Sequence, residues 1–199
     1  MEKHRIAIVV GSLRKDSVNR KVAKAMCDIA GDRLECNIVE IGNLALFNQD
    51  IEASPPGEWV AFKAAIAAAD GILFVTPEYN RSMPGALKNA IDVGSRPYGQ
   101  SAWEKKPAAI VTASPSGIGG FGANHQLRQA CVFLDMPVMQ QPEAYLGHVT
   151  DKSFGEDGSL SDPALKKVVE RVATAFADWV GLIKSGRAAL AGDPSHPAR

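Results

Sequence analysis

The chain is 199 residues long, 46% hydrophobic and 22% charged, values that suit one globular domain with a full core. Its 22 basic residues balance 22 acidic ones, so the charge offers no footprint for nucleic acid or an anionic membrane surface. No apolar run is long enough to span a bilayer, and the first one is too short for a secretory leader, so a cytoplasmic setting is expected.

Ile6 to Val10 is a short, β-branched apolar run that stops at Gly11, and it predicts a buried strand. Ser17 to Ala30 predicts a helix and Leu34 to Ile41 a second strand. Pro55-Pro56-Gly57 opens a helix from about Glu58 to Ala69, where Phe62, Ala65, Ile66 and Ala69 form a stripe of period 3.6. Gly71 to Thr76 predicts a third strand, Gly85 to Val93 a helix behind Pro84, and Ala108 to Ala113 a fourth strand. A helix over Asn124 to Leu134 follows. The last strand is either Pro137 to Met139 or Ala144 to Leu146. Asp162-Pro163 begins a final helix to about Ile183, and residues 186–199 read as a mobile tail behind a domain of residues 1–185. Five β–α units of this kind predict an α/β doubly wound fold: a five-stranded parallel sheet, helices on both faces, and ligands at the strands' C-terminal ends.

Three of those strand ends are polar and glycine-bearing. After Val10 comes G-S-L-R-K-D-S-V-N-R, where Ser12, Arg14, Ser17 and Asn19 add side-chain donors to a helix N-terminus, a ready anion site. It is not a P-loop, since Asp16 stands at the second glycine position. It is not a dinucleotide fingerprint, since Leu13 and Asp16 occupy the later glycines. A single terminal monophosphate suits it; the bland alternative is an ordinary N-cap at Ser17. After Val75 comes T-P-E-Y-N-R-S-M-P-G-A-L-K-N-A-I-D, a stiff loop able to present backbone groups of Glu78, Tyr79 and Asn80 to a flat heteroaromatic ring, or merely to cap the next helix. Glu78 has no second titratable group near it in sequence to make it a general base. At the end of the fourth strand, Thr112 to Asn124 reads T-A-S-P-S-G-I-G-G-F-G-A-N, whose four glycines allow close backbone approach or form a flexible loop. Cys27, Cys36 and Cys131 lack C-x-x-C spacing and are expected to be free, buried thiols. The four histidines have no metal-ligand spacing.

Together these loops resemble the NADPH-dependent FMN reductase family, in its chromate and quinone reductase branch. The likeness runs in order from about residue 5 to 183, and P-E-Y-N-x-S-x-P-G-x-L-K-N-A-I-D is its most specific piece. V-F-L-D-M-P-V-M-Q-Q-P-E, Val132 to Glu143, also looks like the family's following strand. The resemblance implies a flavodoxin-like sheet of order 2-1-3-4-5 and bound FMN. Ser12, Arg14, Ser17, Val18, Asn19 and Arg20 would lie at or beside the phosphate. Pro77, Glu78, Tyr79 and Asn80 would line the isoalloxazine, and Ser114, Ser116 and Gly117 its other side. Arg81 and Ser82 would face the substrate or NAD(P)H. Arg81 stands where many relatives carry an aromatic residue, and His125 likewise, so acceptor preference is the least transferable property. The family also implies a homodimer or homotetramer.

The expected chemistry is ping-pong: NADPH or NADH reduces FMN, leaves, and a small-molecule electron acceptor such as a quinone or chromate takes its place. Free flavin as the main acceptor is the nearer alternative. A flavodoxin-type electron carrier is the alternative of another class, disfavoured because such carriers are strongly acidic. A phospho-receiver domain is excluded by Gly11 and Ser12, which stand where metal-holding carboxylates would be needed.

Overall fold

The apolar run Ile6–Val10 forms most of β1, His4–Val10, in a computed structural model that describes residues 3–192. The other strands are β2 Leu34–Ile38, β3 Gly71–Thr76, β4 Ala108–Ala113 and β5 Ala144–Leu146. The helices are α1 Val18–Ile29, α2 Gly57–Ala68, α3 Gly85–Gly94, α4 Phe121–Phe133 and α5 Pro163–Ala191. All strand pairs are parallel and the order is β2-β1-β3-β4-β5, the flavodoxin-like order expected.

Period-two alternation sorts the central strands onto two cores. Ile6, Ile8, Val10, Leu73, Val75, Ala109 and Val111 face α1 and α5. Ala7, Val9, Ile72, Phe74, Ala108 and Ile110 face α2, α3 and α4. Each fully buried large side chain contributes about 1.5–3 kcal/mol by leaving water. Trp103 is the largest of these; its ring lies 5.8 Å from Phe62 and 5.6 Å from Phe74, and its indole N–H donates to Ile91 O at 3.0 Å. A Cβ at Gly94 would lie 2.4 Å from that indole nitrogen, so a glycine must end α3. Lys106 Nζ donates to Ala67 O and Ala69 O, both at 2.6 Å, and caps the C-terminus of α2 from a distant loop.

Some element ends differ from expectation. β2 stops at Ile38 because its partner is nearly used up: Ile8 pairs with Ile38, and Val39 N adds one bond to Ile8 O at 2.8 Å. The chain then crosses to the other face, where Ile41 and Leu44 are buried beside Trp59. α4 begins at Phe121, earlier than Asn124, because Gly119 and Gly120 turn the chain at φ +66° and +82°. The stretch Val132–Glu143 is not a strand. Its first two residues end α4, Val138 makes an isolated bridge to Ala108, and the fifth strand is Ala144–Leu146. α5 continues to Ala191, past the expected end at Ile183. Its last turns are alanine-rich, Lys184 pairs with Asp70 at 3.0 Å and Arg187 donates to Lys105 O. The first part of the expected tail, 186–191, is therefore helix, and residues 193–199 lie outside the described residues. Among the described residues no helix is long and apolar enough to cross a membrane.

The cysteine expectation is corrected. Cys27 near the end of α1 and Cys36 in β2 form a disulfide, with Cα atoms 6.0 Å apart. Only Cys131 is a free buried thiol, pushed up to about 12 by burial and therefore unreactive. The bridge closes a short loop, its cysteines nine positions apart, so the loss of chain entropy in the unfolded state is worth about 2–3 kcal/mol. Urea unfolding should show wild-type protein losing about that much when a dithiol reductant is added. Cys36→Ser should start at the lower value and be indifferent to reductant.

Candidate active site

β1, β3 and β4 end at one edge of the sheet, and each exit loop stays tied to it. Gly11 N donates to Val75 O at 2.9 Å, which holds the first loop against the end of β3. A Cβ at Gly11 would stand 2.1 Å from Thr76 Oγ1, so only glycine permits this approach. Ser12 and Ser17 are buried although polar. Ser12 Oγ accepts from Arg14 N and Ser17 Oγ from Arg20 N, both at 3.4 Å, so Ser17 is the N-cap of α1 as its position suggests. Val18 opens the helix, and no acidic residue lies in its first turn to offset the positive end of the helix dipole.

Asn19 is 2% exposed. Its amide donates to Ala113 O at 3.2 Å and so ties α1 to the end of β4. Its Oδ1 has no partner among the described residues. An orphaned buried acceptor is costly, by about 1–3 kcal/mol, and such atoms concentrate where a ligand is held. Arg14 is exposed beside this turn. Arg20 is differently engaged: its guanidinium makes two 2.7 Å bonds to Glu40. That pairing holds the Glu40 carboxyl below the usual carboxylate range. Of the two arginines the resemblance assigned to the phosphate, Arg14 is the one without such a carboxylate pair.

The second loop is a tight reversal. Tyr79 and Ser82 exchange both backbone hydrogen bonds at 2.9 Å, with Asn80 at φ 51° and Arg81 at φ 64° between them. Two left-handed central residues make a type I′ turn, a conformation normally filled by Asn-Gly. An arginine there is strained, and such strain clusters at functional sites. Thr76 Oγ1 donates to Pro77 O at 3.0 Å and stiffens the approach to the turn. The Tyr79 ring is half exposed. A cleft of about 430 Å³ runs between the first two loops, with Gly11, Leu13 and Arg14 on one wall and Tyr79, Pro84 and Gly85 on the other. Glu78 does not point into it: its Oε2 accepts from Ala123 N at 3.0 Å, and its Oε1 pairs with Arg81 Nη1 at 3.2 Å. Ser82 Oγ donates to Gln126, also on α4.

The third loop is braced by β5. Ser114 N donates to Leu146 O at 3.0 Å, and the Ser114 and Ser116 hydroxyls accept from Ser116 N and Ile118 N. Both hydroxyl hydrogens are still free to donate. Ser116 and Gly117 are exposed, and a Cβ on Gly117 would meet His148 Nε2 at 3.1 Å.

An aromatic cluster beside this loop carried no clear signal in the sequence. Phe121 and His125 on α4 lie 4.2 Å apart, and Tyr145 of β5 lies 5.2 Å from Phe121. His125 Nε2 and Tyr145 Oη are 2.9 Å apart. Burial, reinforced by Glu143, pushes the Tyr145 phenol up to about 12, so it stays protonated at neutral pH. Its cue is Tyr145 itself, a half-buried residue between the buried Ala144 and Leu146 of β5. Among the described residues no group of His, Cys, Asp or Glu could hold a metal ion.

Comparison with known proteins agrees with this geometry. The model of the family described as NADPH-dependent FMN reductase matches residues 4–151. A quinone reductase of Pseudomonas putida strain KT2440 is 59% identical over 181 residues, covering 89% of this chain and 95% of that protein. A 2-hydroxy-1,4-benzoquinone reductase of a Burkholderia species is 44% identical over 176 residues, covering 88% and 96%. The solved structure of FerB, a flavoenzyme NAD(P)H:(acceptor) oxidoreductase from Paracoccus denitrificans, superposes with a TM-score of 0.86 at 40% identity, covering 90% of this chain and 98% of that one. With three loops built at one sheet edge and a family model matched over most of its length, this chain belongs to the NADPH-dependent FMN reductase family.

Proposed function

We propose that this protein is an FMN-dependent NAD(P)H:quinone reductase whose single site serves reductant and acceptor in turn, chromate being a further acceptor. The observation that carries it is the convergence of the three exit loops around the N-terminus of α1, whose first turn holds no acidic residue, with the orphaned carbonyl of Asn19 buried among them. Its relatives' names support the acceptor class.

The residues present suit the cofactor. Ser12, Arg14, Ser17 and the free N–H groups of Val18 and Asn19 would hold the phosphate, with the helix dipole favouring its charge. The backbone of Pro77, Glu78, Tyr79 and Asn80 would line one side of the ring. Ser114, Ser116 and Gly117 would line the other, where the two serine hydroxyls, each accepting one backbone hydrogen bond, keep a hydrogen to donate to ring acceptors. Bound FMN supplies a centre that accepts hydride from NADPH or NADH and returns it to the acceptor. The chain's own part is to orient that ring, keep one face reachable and place a cation near the entrance. Arg81, 71% exposed on the strained turn, supplies the cation, and Ser82 stands beside it. A homodimer or homotetramer in the cytoplasm completes the proposal; exposed Tyr98 and Phe133, which line one groove, supply apolar surface for assembly.

Three measurements test this. Under anaerobic stopped-flow mixing, NADPH or NADH should bleach the visible band of bound FMN, and a quinone should restore it without a partner protein. A flavin that neither nucleotide bleaches would end the enzyme proposal. Gly11→Ala should weaken FMN binding about tenfold or more, since overpacking of about 1–3 kcal/mol parts the two loops; equilibrium fluorescence titration of apoprotein reads this. Arg81→Ala should raise KM for NADPH or chromate about three- to tenfold while leaving an uncharged quinone within about twofold. Equal effects on charged and uncharged substrates would remove Arg81 from recognition.

A further inference from the structure

We infer that Glu78 is a positioning residue: its carboxylate bolts the Tyr79–Ser82 turn to the first turn of α4 and so sets the width of the slot that receives the flavin ring. The inference rests on the FMN proposal above and gives Glu78 a role other than ring contact or proton transfer.

Four observations lead to it. First, α4 starts without a cap of its own: Gly120, its N-cap, carries no side chain, and no acidic residue lies in its first turn. The Glu78 carboxylate fills that role from 45 residues away, accepting from Ala123 N at 3.0 Å. Second, the side chain is only 11% exposed, and both oxygens are engaged, Oε2 by Ala123 and Oε1 by Arg81. A buried carboxylate held in this way fixes the elements on either side of it. Third, α4 has been cleared for the contact. A Cβ at Gly122 would lie 2.7 Å from Arg81 O and 3.0 Å from Glu78 Oε2. Fourth, the turn itself is strained at Asn80 and Arg81, so it needs an outside brace to persist. The Ser82–Gln126 hydrogen bond is a second, weaker brace between the same two elements.

The backbone preceding this turn would meet the ring on one side, and the third loop, which leads directly into α4, would meet it on the other. A carboxylate that joins the turn to α4 would then set the separation of those two loops without touching what lies between.

The experiment compares wild-type, Glu78→Gln, Glu78→Ala and Gly122→Ala proteins. FMN dissociation constants, the visible spectrum of bound FMN and amide exchange at Ala123 in apoprotein are measured. Glu78→Ala should bind FMN about ten- to hundredfold more weakly, with a shifted flavin spectrum and faster exchange at Ala123. Glu78→Gln keeps an oxygen for Ala123 N and should recover most of both losses. Gly122→Ala should weaken FMN like Glu78→Ala although alanine favours helix over glycine. If Glu78→Ala fails to fold, Gly122→Ala alone decides. Wild-type affinity and spectrum in the alanine variants, or Glu78→Gln as impaired as Glu78→Ala, would overturn the positioning role. Wild-type protein that retains no FMN would overturn the proposal beneath it, a failure distinct from variants that bind as wild type does.

Discussion

Val10 pairs with Val75 and Thr76 with Thr112, so the parallel register brings three central strands to an end on nearly one line. A parallel strand cannot turn back on itself, and each exit must climb over the sheet edge to start a helix. Three exits from neighbouring strands therefore crowd together whatever their sequences. The residues decide only what the crowd can hold. Glycine at position 11 lets the first exit lie against the third strand, and Asn19 reaches across to Ala113 to close the ring of contacts. If this register slipped by a residue, the core alternation and the alignment of the exits would be lost together.

The electrostatics of the edge follow from which charges are already satisfied. Arg20 is spent on Glu40 and Arg81 leans on Glu78, while Arg14 makes no such ion pair and the first turn of α1 holds no acidic residue. The helix N-terminus itself adds partial positive charge, carried by backbone groups whose direction is fixed by the fold. Fixed donors of this kind need no reorganisation when an anion arrives.

Much of this was readable from the chain. The runs Gly71–Thr76 and Ala108–Ala113 located β3 and β4 to the residue, because every position of these two strands is buried. The polar, glycine-bearing segments after β1, β3 and β4 likewise marked the edge that the fold brings together. What escaped depends on partners distant in sequence. The Cys27–Cys36 bond needs the end of α1 laid beside the neighbouring edge strand, and no spacing rule encodes that. The Glu78–Ala123 contact spans 45 positions and the Arg20–Glu40 pair 20. The extra turns of α5 were hidden by Gly186, which suggests an end, although Lys184 and Arg187 find tertiary partners around it.

β2 is five residues long and lies at the margin of the sheet, with only β1 beside it. A marginal strand shows a row of unsatisfied amides and carbonyls to any other chain that unfolds nearby, and pairing through that row is a common beginning of aggregation. Here Cys36 anchors the strand covalently to the helix behind it. A segment tethered in this manner does not readily peel away and swap neighbours, so the bond guards the colloidal fate of the protein as well as its folded state.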